Sequence, residues 1–112
     1  MTSKTLYGDS RQVSPTDLPS LTQTALLELI TPKKYDCPFS FNILKMDPGG
    51  RVARQTHEAQ HAVYLLDGTC RILLQEEWIT LSRGGYAYIP PNVTHAFEAD
   101  KERGAEVLIL KL

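Results

Sequence analysis

The sequence has little of several features that would point to particular classes of protein. Its 112 residues include 12 basic and 13 acidic side chains, which give a net charge of −1. The chain therefore lacks the excess of positive charge that binds the phosphate backbone of nucleic acids. No apolar run approaches the roughly 20 residues that a membrane-spanning helix needs. The first ten residues lack the apolar core of a secretory signal. We therefore expect a cytoplasmic protein that binds neither nucleic acid nor membrane.

Cysteine is scarce as well. Cys37 and Cys70 are the only two, and they form no Cys-x-x-Cys pair. Thiols so sparse and so far apart are typical of a reducing compartment, where each packs as a small apolar group. A disulfide between them is the less favoured alternative, because a chain of this length folds without covalent cross-links.

Histidine is rare but not scattered. All three histidines fall inside two short segments: His57 and His61 close the run that begins at Arg54, and His95 closes the run that begins at Gly84. Imidazole is the commonest protein ligand for transition metals. We interpret the two segments as the two halves of one metal pocket.

What the sequence has in quantity is short β-type runs separated by glycine, proline and polar turns. Residues 1–20 are polar and contain two prolines, which predicts an arm with an edge strand near 10–13. Residues 21–112 then predict one all-β domain, a sandwich or barrel. Residues 22–30 suit strand or helix, and the proline at 32 favours strand. The other predicted strands are 39–46, 51–55, 62–66, 69–74, 78–81, 86–89, 95–98 and 106–112.

The two histidine segments resemble the two motifs of the cupin family, which are small double-stranded β-helix (jelly-roll) barrels. In the first motif, Gly49 leads through five residues to Gln55, with His57, His61 and Gly68 at the family's spacing. In the second, Gly84 leads through five residues to Pro90-Pro91-Asn92, followed by His95 and Ala99. Every spacing is kept across residues 49–99, so the resemblance predicts a jelly-roll cupin barrel.

Four positions depart from the family pattern. Gln55 stands where the first motif has a histidine, and His61 stands where it usually has glutamate. Asn92 replaces a turn glycine, and asparagine tolerates the same left-handed backbone. Ala99 replaces the terminal asparagine. The resemblance therefore implies a ligand set of Gln55, His57, His61 and His95, similar to the four-histidine variant of small cupins with one imidazole exchanged for an amide.

Such a set is neutral, so a bound divalent ion would keep its full charge and stabilise an enolate or carboxylate. Imidazole favours Zn, Ni, Cu, Fe or Co. Two roles stay open for Gln55: its carbonyl oxygen binds the metal, or it stands off and hydrogen-bonds substrate or water. Strand alternation places Arg51, Gln55 and His57 on one face. The candidate pocket residues are Phe97, Tyr64, Tyr88, Phe41 and Arg51.

The resemblance implies a metal-dependent enzyme of dioxygenase, isomerase or cyclase type, acting on a small carbonyl-containing or enolisable molecule. The alternative is a non-catalytic module that binds or senses a small ligand or metal. That alternative gains weight because no carboxylate falls at a pocket position by spacing. The polar arm and the edge strands of a small jelly roll also favour a homodimer.

Overall fold

A computed structural model describes residues 6–112, and seven antiparallel strands account for most of them. A short 3-10 helix, Ser10–Gln12, and a single helical turn, α1 (Pro32–Tyr35), are the helical segments there. None of the described helices is long and apolar enough to cross a membrane. The strands are β1 (Leu21–Ile30), β2 (Ser40–Gln55), β3 (His61–Leu74), β4 (Glu77–Ser82), β5 (Tyr86–Ile89), β6 (His95–Ala99) and β7 (Ala105–Lys111).

Two long strands close the sheet into a barrel. Both β2 and β3 pair with β6 over one half of their length and with β7 over the other half. The ring β2–β6–β3–β7 is therefore continuous, while β1 flanks β2, and β4 and β5 flank β3. The all-β jelly-roll prediction is confirmed.

The long strands bend where the sequence predicts breaks. Residues 47–50 do not end a strand; β2 runs through them and changes partner from β7 to β6. The predicted strands 62–66 and 69–74 are likewise two halves of β3, which bends at Asp67 and Gly68. Glycine with positive φ bends the chain at both places, and each strand continues beyond its bend.

The N-terminal segment differs from its prediction in one place. Residues 10–13 form a 3-10 turn and not an edge strand, because the Asp9 carboxylate accepts a hydrogen bond from the backbone N–H of Arg11. The only pairing described in this segment is one bridge between Thr16 and Leu26 of β1. The first five residues of the predicted arm lie outside the described part of the chain. Residues 22–30 are strand, as the proline at 32 predicted.

The bends of β2 and β3 meet at one end of the barrel, together with the loop 100–104; we call this the corner end. Gly49 N–H donates to the Asp100 carbonyl at 3.0 Å, and Asp100 N–H donates to that of Thr69 at 2.9 Å. Next to these bends, Leu65, Cys70, Ile72 and Val107 have no exposed surface. Cys37 and Cys70 are both free thiols, as expected. The opposite end holds the histidines.

Candidate functional site

The ligands predicted from the sequence lie together at the end of the barrel opposite the corner end. We call this part of the barrel the histidine end. Gln55 is the last residue of β2, His61 the first of β3 and His95 the first of β6. His57 follows β2 in the connecting loop. The backbones of Gln55 and His95 are directly paired across β2 and β6. Two regions of the sequence, residues 55–61 and the start of β6, thus contribute to one site.

The three imidazole rings face one another as a nearly equilateral triangle. Their centroids are 5.6 Å apart for His57 and His61, 5.2 Å for His57 and His95, and 5.1 Å for His61 and His95. The rings are tilted at 53° to 57°, so they do not stack. His61 and His95 are buried, with 7% and 4% of their surface exposed, whereas His57 is half-buried at the mouth.

Local hydrogen bonds orient the rings. His95 Nδ1 lies 2.9 Å from the Val93 carbonyl. Because a carbonyl only accepts, Nδ1 carries the proton and Nε2 presents its lone pair. His57 Nε2 lies 2.5 Å from Gln55 Oε1. The His57 carbonyl accepts a 2.6 Å hydrogen bond from Asn92 N–H. Asn92 has φ +63°, which confirms the left-handed turn predicted at this position.

Burial favours the neutral form of His57 and His61. It lowers the pKa of His61 to about 4, with smaller electrostatic contributions from His95, Lys111 and His57. The pKa of His57 is lowered by the same effects, burial first. An uncharged imidazole is the form that donates a lone pair to a metal or accepts a proton.

A cavity of about 170 Å³ lies beneath the rings. Its wall is mostly apolar, and no aspartate or glutamate contributes to it. The polar members besides the four predicted ligands are Ser20, Asn42 and Lys111. The apolar members are Leu18, Leu21, Leu26, Leu44, Val52, Phe97 and Ile109.

Of the five residues predicted to line the pocket, the structure places Phe97 there and the others elsewhere. Tyr64 and Tyr88 lie on the outer face of the barrel, 45% and 56% exposed. Phe41 borders a separate cavity between β1 and the N-terminal segment, and Arg51 borders an outer groove near Trp78.

Strand parity explains these positions. In the first half of β3 the buried residues are His61, Val63 and Leu65, so Tyr64 points outward. In β2, the pairing with β6 advances three residues from Val52 to Gln55 while β6 advances two. This bulge puts Gln55 on the cavity side with Val52 and leaves Arg51 outside. Simple alternation from Gln55 back to Arg51 therefore does not hold.

The sequence reasoning missed Asn42 and Lys111. Both occupy inward positions of an alternating strand: Asn42 shares parity with Leu44 and Met46, and Lys111 shares it with Val107 and Ile109. A polar residue on the apolar phase of a strand was the available signal. Taken as placed, no three His, Cys, Asp or Glu side chains in residues 6–112 are close enough together to hold a metal ion.

The chain matches the cupin domain family model over residues 42–111. No curated protein matches it. It is similar to the polyketide cyclase RemF from Streptomyces resistomycificus, with a TM-score of 0.82 and 19% identity over 99% of this chain and 79% of that one. A predicted oxalate decarboxylase from Thermotoga maritima has a TM-score of 0.84 and 15% identity, over 96% and 98%. An RmlC-like cupin from Shewanella frigidimarina has a TM-score of 0.79 and 14% identity, over 99% of this chain and 93% of that one. At such identities the likeness is one of fold.

Proposed function

Because the chain belongs to the cupin family, we propose that its histidine end binds one divalent transition metal ion and acts on a small organic molecule. His57, His61 and His95 are the proposed ligands, and the ion is Zn, Ni, Fe, Cu or Co. The proposed substrate is a carbonyl-containing or enolisable compound. The reaction is of dioxygenase, isomerase or cyclase type.

The convergence of three imidazole rings carries this proposal. Ligand nitrogens about 2 Å from a four-coordinate ion would place ring centroids about 5 Å apart. The observed separations are 5.1 to 5.6 Å. The donor atoms do not close around one point as placed, so small ring rotations would accompany binding. The residues fit the group in number, in ring separation and in donor type.

The protonation states also support the proposal. His95 Nδ1–H donates a hydrogen bond to the Val93 carbonyl, so Nε2 is the nitrogen whose lone pair can bind a metal. Burial lowers the pKa of His61, so no proton competes for this ligand near neutral pH. A carbonyl that holds the second ring nitrogen is the usual support of a ligating histidine.

Gln55 has two proposed roles. Its Oε1, which lies against His57 Nε2, is either a fourth donor to the metal or stands off and hydrogen-bonds the substrate or a metal-bound water. Replacing Gln55 with leucine separates the two. As a fourth donor, its loss weakens metal affinity about tenfold or more; as a partner that binds only substrate, its loss leaves metal affinity unchanged.

A divalent ion held by neutral donors supplies Lewis acidity toward a carbonyl or carboxylate oxygen. The chain itself supplies an apolar wall that limits water and selects size. A polyketide cyclase and a predicted oxalate decarboxylase share the fold, which favours an enzyme.

A non-catalytic binding module is the second candidate. The observation in its favour is that no carboxylate lines the cavity, so the site lacks the commonest general base apart from histidine. The two candidates share the metal and differ in turnover.

Metal titration tests the shared part. Chelator-treated protein is titrated with each of the five ions, and one ion is expected to bind per chain. His61→Ala and His95→Ala are expected to lose it. Glu58→Ala, an exposed neighbour of His57, is the matched control and keeps it. Binding that survives both histidine substitutions would refute the proposed site.

Turnover separates enzyme from module. Metal-loaded protein is assayed for O2 consumption and for isomerisation with β-diketones, catechols, thiols and hydroxy acids. Product formation that disappears in His95→Ala supports the enzyme. Stoichiometric ligand binding with no turnover on any ion supports the module.

We also propose a cytoplasmic homodimer. The free thiols suit a reducing compartment. The exposed face of β3 and β5 carries Tyr64, Tyr86 and Tyr88, with Tyr64 and Tyr86 paired across the strands. Light scattering measures the state, and Tyr86→Asp is expected to shift it to monomer if this face is the interface.

A further inference from the structure

Asn42 is a buried polar residue whose side-chain oxygen has no partner in the fold among the described residues. Its side chain is 9% exposed, and Oδ1 has no hydrogen-bond partner among residues 6–112. Asn42 lines the same cavity as the histidines. A buried carbonyl oxygen without a partner costs free energy, so a position that keeps one is explained when a ligand supplies the missing donor.

Lys111 adds a charge to the cavity. Its backbone pairs with that of His61 across β3 and β7, which places both side chains on the same face of the sheet. Lys111 is one of the residues that line the cavity, and its ammonium group forms no ion pair within the described residues. Since no aspartate or glutamate lines this cavity, the site attracts anions and disfavours ligands that carry an ammonium group.

The strand register sets the spacing between these two groups. Lys111 pairs with Ser40 of β2, whereas Asn42 pairs with Ile109. These two pairs of residues form neighbouring rows on the inner face of the sheet. The rows are two residues apart along each strand, which is roughly 7 Å. The cation therefore lies in the row of His61 at the cavity mouth, and the amide lies one row deeper toward the corner end.

From this arrangement we infer that Asn42 and Lys111 determine specificity and select a small hydroxy acid, whose carboxylate meets Lys111 and whose hydroxyl donates to Asn42. This inference rests on the proposed function of the histidine end and names its substrate class. The cavity of about 170 Å³ has the volume of about six waters, which limits the ligand to a few carbon atoms.

Ligand-observed NMR titration with lactate and propanoate tests the inference, because the two acids differ only in the hydroxyl. Wild-type protein with saturating Zn²⁺ is expected to bind lactate about tenfold more tightly. In Asn42→Leu, which keeps the branching and the number of heavy atoms in the side chain, the two affinities become equal because lactate loses its acceptor. Lys111→Met weakens both acids about tenfold. Lys101→Met, an exposed lysine on the loop 100–104, is the matched control and changes neither.

A second measurement separates recognition from structure. If Asn42 serves the ligand, Asn42→Leu unfolds in urea at the wild-type midpoint or above it, since an unpaired buried oxygen is removed. A purely structural asparagine would lower the midpoint. Equal affinities for the two acids in wild-type protein, or an unchanged ratio in Asn42→Leu, would overturn the inference.

Repeating the titrations in chelator-treated protein distinguishes this inference from the proposed function. Failure to bind Zn²⁺ refutes the metal site, while the lactate-to-propanoate ratio without metal still reports on Asn42. Binding of Zn²⁺ with no selectivity between the acids refutes only the hydroxy acid.

Discussion

The two ends of the barrel contain opposite kinds of packing. At the corner end, backbone hydrogen bonds join the two bends to the loop 100–104, and Leu65, Ile72 and Val107 are completely enclosed. At the histidine end, a cavity separates the strands, and His61 Nδ1 and Asn42 Oδ1 are buried without partners among residues 6–112. The corner end therefore leaves no buried side-chain polar atom unpaired among the described residues, whereas the histidine end leaves two beside a cavity.

This difference agrees with the proposed function, in which the corner end stabilises the fold and the histidine end binds a ligand. Groups left unpaired and space left unfilled both lower stability. They are concentrated where three imidazoles converge, which is the pattern expected when a site is kept available for a ligand. Substitutions at the corner end should therefore change folding, and those at the histidine end should change binding.

The largest expected effect is at the corner end. In Gly68→Ala the new methyl would overlap the Gly104 carbonyl oxygen, on a backbone with φ +74°. Left-handed strain and overlap together should reduce the free energy of unfolding by about 4 kcal/mol. Urea denaturation measures the loss. Gly49→Ala has φ +76° but no atom within 4 Å of the new methyl, so it should lose only about 1 kcal/mol. Equal losses would contradict a tightly packed corner.

Metal binding at the histidine end should raise the stability of the protein. Zn²⁺ at about 100 times its dissociation constant is expected to raise the free energy of unfolding of the wild-type protein by about 3 kcal/mol. His95→Ala should show no increase, while Gly49→Ala should gain as much as wild type because its change lies at the other end. Thermal unfolding with and without chelator measures both. A gain that persists in His95→Ala would place the metal elsewhere.

Acid should lower the stability of the metal-free protein, because His61 at the histidine end is buried. The pKa of His61 is about 4 in the folded chain, against 6.5 when exposed. Between these values the unfolded chain takes up a proton and the folded chain does not, so stability falls as the pH drops from about 6.5 to 4. The burial that lowers the pKa of His57 adds to the slope. Urea unfolding across this range should show a shallower slope in His61→Gln. An unchanged slope would show that His61 is not the titrating group.

The smallest effect concerns thiol access. Burial raises the pKa of Cys70 to about 12 and leaves the thiol fully enclosed, whereas Cys37 is half-buried. A thiol-specific reagent should label one cysteine per native chain and two after denaturation. Cys37→Ser should abolish native labelling. Rapid labelling of Cys70 would show that the barrel interior opens more readily than its packing indicates.

Local patterns predicted most of the strands and the meeting of the histidines. The two motifs placed Gln55, His57, His61 and His95 on segments that the structure brings together. They could not predict that residues 47–50 and Asp67-Gly68 bend a continuous strand, because a bend and a turn share the same glycines. Tyr64 and Arg51 were assigned to the pocket, yet they face outward, since a bulge and the strand phase decide direction.

The sequence alone determined the alternation of strand and turn, the family resemblance and the identity of the candidate ligands, since these depend on residue type and spacing along the chain. Only the tertiary structure decided which side chains share the cavity. Asn42 and Lys111 come together with His61 through pairing across β2, β7 and β3. Such contacts depend on register between strands distant in sequence, and a one-residue shift would turn each of these side chains to the other face.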